Sequence, residues 1–170
     1  MSLAGVEVFN ALPAYELEAR LAACCAAPEW GVALAAGRPY PDRVRLLAAA
    51  DAASAALTWE DVLKGLSAHP RIGERAAGDS TEAQWSRREQ AAAATEDQAT
   101  RAALIDANRA YEDRFGHVFL ISASGKTPEE ILAAARERLG NDETTERAIV
   151  ADELRKIALL RLWRLLDELG

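Results

Sequence analysis

The chain has 170 residues, half of them apolar, and 20 basic against 27 acidic side chains give it a net charge of −7. That length suits one domain with a core large enough to need neither disulfide nor structural metal. The acidic balance and the lack of a basic stripe argue against nucleic-acid binding, and no run nears the roughly 18 apolar residues of a membrane span.

The first ten residues, MSLAGVEVFN, lack the basic start and apolar run of a secretory signal. Cys24 and Cys25 are adjacent and offer no scaffold of spaced pairs. Both suit thiols packed as small apolar groups, or half exposed, in a reducing, cytoplasmic protein.

Ala, Leu, Glu and Arg dominate, β-branched runs are scarce and no hairpin turn is present, which predicts an all-α fold. A first helix is expected over 13–26, with Leu17, Leu21 and Cys24 or Cys25 on one face. Pro28 is expected to interrupt, before a short helical turn around Trp30 to Leu34 that ends at Gly37. Pro41 suits the first position of a helix to about Leu57, and Thr58 caps the next, which stops near Leu66. The stretch from Pro70 to Asp79, holding Gly73 and Gly78, reads as a loop.

Ser80 then caps a helix through Trp85 and Gln90, with Ala94 as its furthest expected end, and Thr95 and Asp97 mark a break. The following helix ends near Phe115-Gly116, and His117 to Ser122 is the one candidate for an extended stretch. Thr127-Pro128-Glu129-Glu130 combines a Thr cap, a first-turn Pro and a Glu at the third position, opening a helix to Gly140. The last helix is expected over 142–168. The sum is a single compact domain of about seven to nine helices.

His69 lies where a helix gives way to a loop, in Ala68-His69-Pro70-Arg71-Ile72-Gly73. Pro70 restricts the backbone on one side and Gly73 permits a sharp turn on the other. An imidazole held there can exchange a proton near neutrality, and a histidine capping a helix end fits the same position. Ser86, Glu89 and Gln90 project from one helix face, so a hydroxyl, a carboxylate and an amide can grip one polar ligand. Arg87 and Arg88 beside them also fit a solvated face. Asn108 and Tyr111 are one turn apart, suited to structural hydrogen bonds or to lining a pocket. If Phe119-Leu120-Ile121-Ser122-Ala123 is non-helical, its backbone groups can pair with a planar ligand. The two histidines have no ligand-spaced carboxylates or thiols, so no metal site is expected, and His117 reads as a surface residue.

Taken together, these segments resemble the OHCU decarboxylase (2-oxo-4-hydroxy-4-carboxy-5-ureidoimidazoline decarboxylase) family, which closes the route from urate to (S)-allantoin. The resemblance runs through Phe9-Asn10-Ala11-Leu12, the His69-Pro70 segment, Trp85-Ser86-Arg87-Arg88-Glu89-Gln90 and Asn108-Arg109-Ala110-Tyr111. It continues through Arg114-Phe115-Gly116, Val118-Phe119-Leu120-Ile121, Leu154-Arg155-Lys156-Ile157 and Leu160-Arg161-Leu162. It implies an all-α homodimer without metal or organic cofactor. It makes His69 the catalytic acid partnered by Glu89, with Pro70 in the pocket. Ser86, Arg87, Arg88, Glu89 and Gln90 would bind substrate through side chains; Phe119, Leu120, Ile121, Ser122 and Ala123 would do so largely through backbone. His117 departs from an aromatic residue followed by proline, and Ser124 from a basic residue in some relatives. A helical lyase or hydrolase acting on another ureide, or a non-catalytic helical interaction module, are the alternatives.

Overall fold

The computed structural model describes residues 5–72, 80–91 and 97–170. Residues 73–79 of the expected loop, Gly73 and Gly78 among them, together with Ala94 and Thr95, lie outside the described residues. Among the described residues there are nine α-helices and no strand, as the composition predicts. They are α1 (Val6–Ala11), α2 (Ala14–Cys24), α3 (Pro28–Ala36), α4 (Arg43–Ala55), α5 (Trp59–Leu66), α6 (Thr81–Glu89), α7 (Gln98–Phe115), α8 (Pro128–Arg138) and α9 (Glu143–Leu169). No helix among them is long and apolar enough to cross a membrane. The chain divides into two compact units, one of Met1–Gly65 with Leu154–Gly170 and the other of Leu66–Glu153.

In the first unit α3 packs against α2 and α4, around fully buried Leu17, Leu21, Trp30, Leu34 and Leu46. The indole Nε1 of Trp30 donates to the Ala50 carbonyl at 3.2 Å and to Ser54 Oγ at 3.1 Å, so its polar edge is satisfied inside the core. Three features differ from expectation. Pro41, expected as the first helical residue, lies before α4, which Asp42 caps by accepting the Arg45 N–H at 2.8 Å. The six-residue α1 precedes the helix expected to be first. Pro28, expected as an interruption, instead opens α3 at a position where its missing N–H costs nothing. α1 has no side-chain cap at its start, and its end is held from a distance. Arg38 Nη1 donates to the carbonyls of Phe9, Asn10 and Leu12, the last at 2.6 Å. Asn10 exchanges two hydrogen bonds with the backbone of Tyr40, each 2.9 Å long.

The second unit pairs α7 with α8. Its core joins Leu104, Ala107 and Tyr111 of α7 and Ile131 and Ala135 of α8 to Ile72, Phe119, Ile121 and Ala123. Asp97 caps α7 through the Thr100 N–H, and Gly116 ends it at φ 79°, a left-handed geometry that suits glycine. Thr127 and Glu130 form the expected reciprocal capping box at the start of α8.

Candidate active site

His69 follows the last turn of α5, where its N–H donates to the Leu66 carbonyl at 3.0 Å. The side chain is half-buried, as is Pro70. The next two residues are tied to α7. Arg71 Nε meets the Glu112 carboxylate at 2.8 and 3.1 Å. The Ile72 carbonyl accepts from Asn108 Nδ2 at 2.8 Å in a buried contact. The surface ion pair contributes about 0–1 kcal/mol; the buried amide contact matters more, since removing it would strand a carbonyl inside the protein. Asn108 and Glu112 lie one α7 turn apart, so one helix face fixes the path of the chain beyond His69.

The cap that Ser80 gives α6 is in place, with its Oγ accepting the Ala83 N–H at 3.1 Å. The helix buries Ala83, Trp85, Ser86 and Glu89. Ser86 is 3% and Glu89 7% exposed, which excludes a solvated face for these two. Acidic residues are rarely this buried unless paired. Arg87 and Gln90 are half-buried and Arg88 is exposed.

Phe119 to Ala123 are neither helix nor strand; all are buried except half-buried Ser122. Side chains claim two of the segment's backbone groups. The Leu120 carbonyl accepts from Arg138 Nη1 at 2.7 Å, and the Ser122 N–H donates to Glu153 Oε1 at 3.0 Å. Ile72 shares a core cluster with Phe119, Ile121 and Ala123, so the segment leading from His69 and the 119–123 segment pack in one core. His117, expected at the surface, is half-buried and used as an aromatic ring: it lies 5.5 Å from Tyr111 and 6.2 Å from Phe115, centroid to centroid.

Tyr111 donates to Glu146 Oε1 at 2.8 Å, and Arg138 Nε meets the same oxygen at 2.6 Å. Burial, and then the bond to Glu146, push the Tyr111 hydroxyl well above its ordinary value, so it stays a donor. Asn108 and Tyr111 thus prove to be structural hydrogen-bonders. The sequence reading missed Arg138, Glu146 and Glu153, all buried. A signal existed for the two glutamates: they fall in helical register with buried Val150, Leu154 and Ile157 on α9.

The comparisons with known proteins agree with one another. The profile of the OHCU decarboxylase family matches residues 10–163. The 2-oxo-4-hydroxy-4-carboxy-5-ureidoimidazoline decarboxylase of Haloferax volcanii is 32% identical over 126 residues, 74% of this chain and 73% of that protein. The uric acid degradation bifunctional protein TTL of Arabidopsis thaliana is 32% identical over 149 residues, covering 85% of this chain but 46% of the relative's own length. A crystal structure of OHCU decarboxylase in the presence of (S)-allantoin superposes with a TM-score of 0.74 at 30% identity, covering 86% of this chain and 96% of that one. A crystal structure of (S)-allantoin synthase, at 20% identity and a TM-score of 0.71, shares the fold. With the helical architecture and a profile match over most of its length, the chain belongs to the OHCU decarboxylase family, a family of decarboxylases.

Proposed function

We propose that this chain decarboxylates 2-oxo-4-hydroxy-4-carboxy-5-ureidoimidazoline to (S)-allantoin, with His69 as proton donor and Glu89 as its partner. The observation that carries this reading is the burial of Ser86 and Glu89 on α6, in the same unit as the anchored turn beyond His69. A carboxylate kept from water serves a purpose such as orienting an imidazole and stabilising its protonated form. In this reading Pro70 shapes the pocket; Ser86, Arg87, Arg88 and Gln90 bind the substrate through side chains. Phe119, Leu120, Ile121, Ser122 and Ala123 meet it largely through backbone.

The substrate's carboxylate sits on a hydroxyl-bearing ring carbon next to a carbon–nitrogen double bond. When the bond to the carboxylate breaks, its electron pair forms a double bond to the neighbouring ring carbon, and the former C=N pair moves onto nitrogen. Carbon dioxide leaves and an enol remains. His69 protonates the neighbouring carbon from one side as the hydroxyl becomes a carbonyl and its proton passes to the ring nitrogen. The substrate is its own electron sink, so the protein is left to hold the ring, stabilise charge and deliver one proton. Protonation without the protein gives racemic allantoin, so a fixed donor governs handedness as well as rate.

The same family reading makes the protein a homodimer of the cytoplasm, and residues 1–170 one working domain. The buried thiols of Cys24 and Cys25 suit a reducing compartment.

The test generates the unstable substrate from urate with urate oxidase and hydroxyisourate hydrolase, and follows optically active allantoin by circular dichroism. His69→Ala and Glu89→Gln are each expected to lose about 10²–10⁴ in rate while keeping the helical spectrum. A fully active His69→Ala protein would overturn the assignment. Slow, racemic product at every protein concentration would point to another ureide.

A further inference from the structure

Ile121 lies between two peptide groups, and a buried ionic side chain holds each of them. Arg138 Nη1 donates to the carbonyl of the peptide that carries the Ile121 N–H, and Glu153 accepts from the N–H of the peptide that carries the Ile121 carbonyl. Arg138 is firmly placed, and Glu153 is buried. Arg138 is bound through Nε to Glu146 at 2.6 Å and stands over the Phe119 ring, 4.6 Å from its centroid. Fully buried Glu146 is itself held by Tyr111 at 2.8 Å and by Asn141 Nδ2 at 3.1 Å.

A trans peptide is planar, with its C=O and N–H directed oppositely. Fixing the Leu120 carbonyl therefore aims the Ile121 N–H away from Arg138, and fixing the Ser122 N–H aims the Ile121 carbonyl away from Glu153. Among the described residues, neither group of Ile121 takes a hydrogen-bond partner. The contacts also polarise the two peptides. A guanidinium on a carbonyl makes the N–H of that peptide a stronger donor, and a carboxylate on an N–H makes the attached carbonyl a stronger acceptor. A ureide carries neighbouring N–H and C=O groups that complement such a pair.

We propose that Arg138 and Glu153 are positioning residues that set the direction and strength of the Ile121 N–H and C=O, the pair that grips an amide edge of the ureide. The proposal rests on residues 119–123 binding substrate.

Glu153→Ala and Glu153→Gln test it, with folding checked by circular dichroism and thermal melting. The expected result for Glu153→Ala is a KM raised about ten-fold with kcat changed less than about three-fold, as for one weakened hydrogen-bonding edge. Glu153→Gln retains an acceptor oxygen, so its KM is expected to rise only about three-fold. A merely structural role would lower the melting temperature of both and leave KM unmoved. Calorimetric titration with (S)-allantoin is expected to follow the same order of affinities, and it needs no turnover. If the parent binds allantoin in a Glu153-dependent way yet fails to turn over the substrate, the reaction falls and the clamp stands. A folded Glu153→Ala protein with parental KM and allantoin affinity, alongside an inactive His69→Ala protein, overturns the clamp and leaves the reaction. Should Glu153→Ala not fold, a parental KM in Glu153→Gln overturns it instead.

Discussion

Cys25 shows how a residue with no part in the proposed chemistry shapes the behaviour of the protein. Burial pushes its thiol up from 9.0 to about 11, against smaller opposing effects of a hydrogen bond at Ala27 and the charge of Arg161. The folded thiol therefore keeps its proton where the unfolded one loses it. Its contribution to stability is complete below pH 9.0 and is lost as pH rises toward about 11. Two pH units correspond to about 3 kcal/mol at most. Thermal melts of Cys25→Ala across this window are expected to fall less steeply with pH than the parent's; equal slopes would place the alkaline loss elsewhere. Tyr111 and Tyr40, whose hydroxyls burial also pushes up, add to the loss only beyond the ordinary tyrosine range near pH 10. Cys25 is therefore read most cleanly at the lower end. A protonated thiol is also a poor nucleophile, so alkylation of folded protein at pH 8 is expected to be slow.

Among the helices, α1 has the narrowest tolerance. Gly5 precedes it at φ 82°, and a Cβ there would lie 2.1 Å from the Leu166 carbonyl oxygen. Both the backbone conformation and the space demand glycine. Gly5→Ala is expected to cost at least about 2 kcal/mol in chemical denaturation, and a loss below 0.5 kcal/mol, within the usual range for surface substitutions, would show that α1 shifts freely. This helix also marks the limit of what the sequence made legible. α6, α8 and the start of α5 were readable because Ser80, Thr127 and Thr58 satisfy backbone donors from a few residues away. α1 was not, because the groups that hold it, Arg38 and Tyr40, come from about thirty positions on. The candidate site divides the same way. The burial of Ser86 and Glu89 agrees with their spacing on one helix face, whereas Arg138 looks like an ordinary helix-surface charge until the 119–123 backbone is set beside it.

For the whole molecule, the prediction concerns assembly. As a homodimer the protein should elute in light-scattering chromatography at twice 18.3 kDa across the micromolar range; a single-chain mass throughout would remove the homodimer from the proposal. Charge acts at the same scale. With a net charge of −7 at neutral pH and an isoelectric point near 5.0, the protein is expected to be least soluble near pH 5, where its charge vanishes.

The 27-residue α9 contributes to both units, with residues up to Glu153 in one and Leu154 onward in the other. This imposes an order on biosynthesis. The helices from Val6 to Ala55 leave the ribosome early, yet the chain that completes their unit, including the Leu166 carbonyl against Gly5 and the Arg161 contact to the Ala23 carbonyl, is made after all of α6 to α8. At about 5–20 residues per second, the early helices wait several seconds with apolar faces uncovered. A nascent chain stalled before residue 154 should therefore be cut readily by protease within its first 55 residues, and the same segment should become resistant once α9 has emerged.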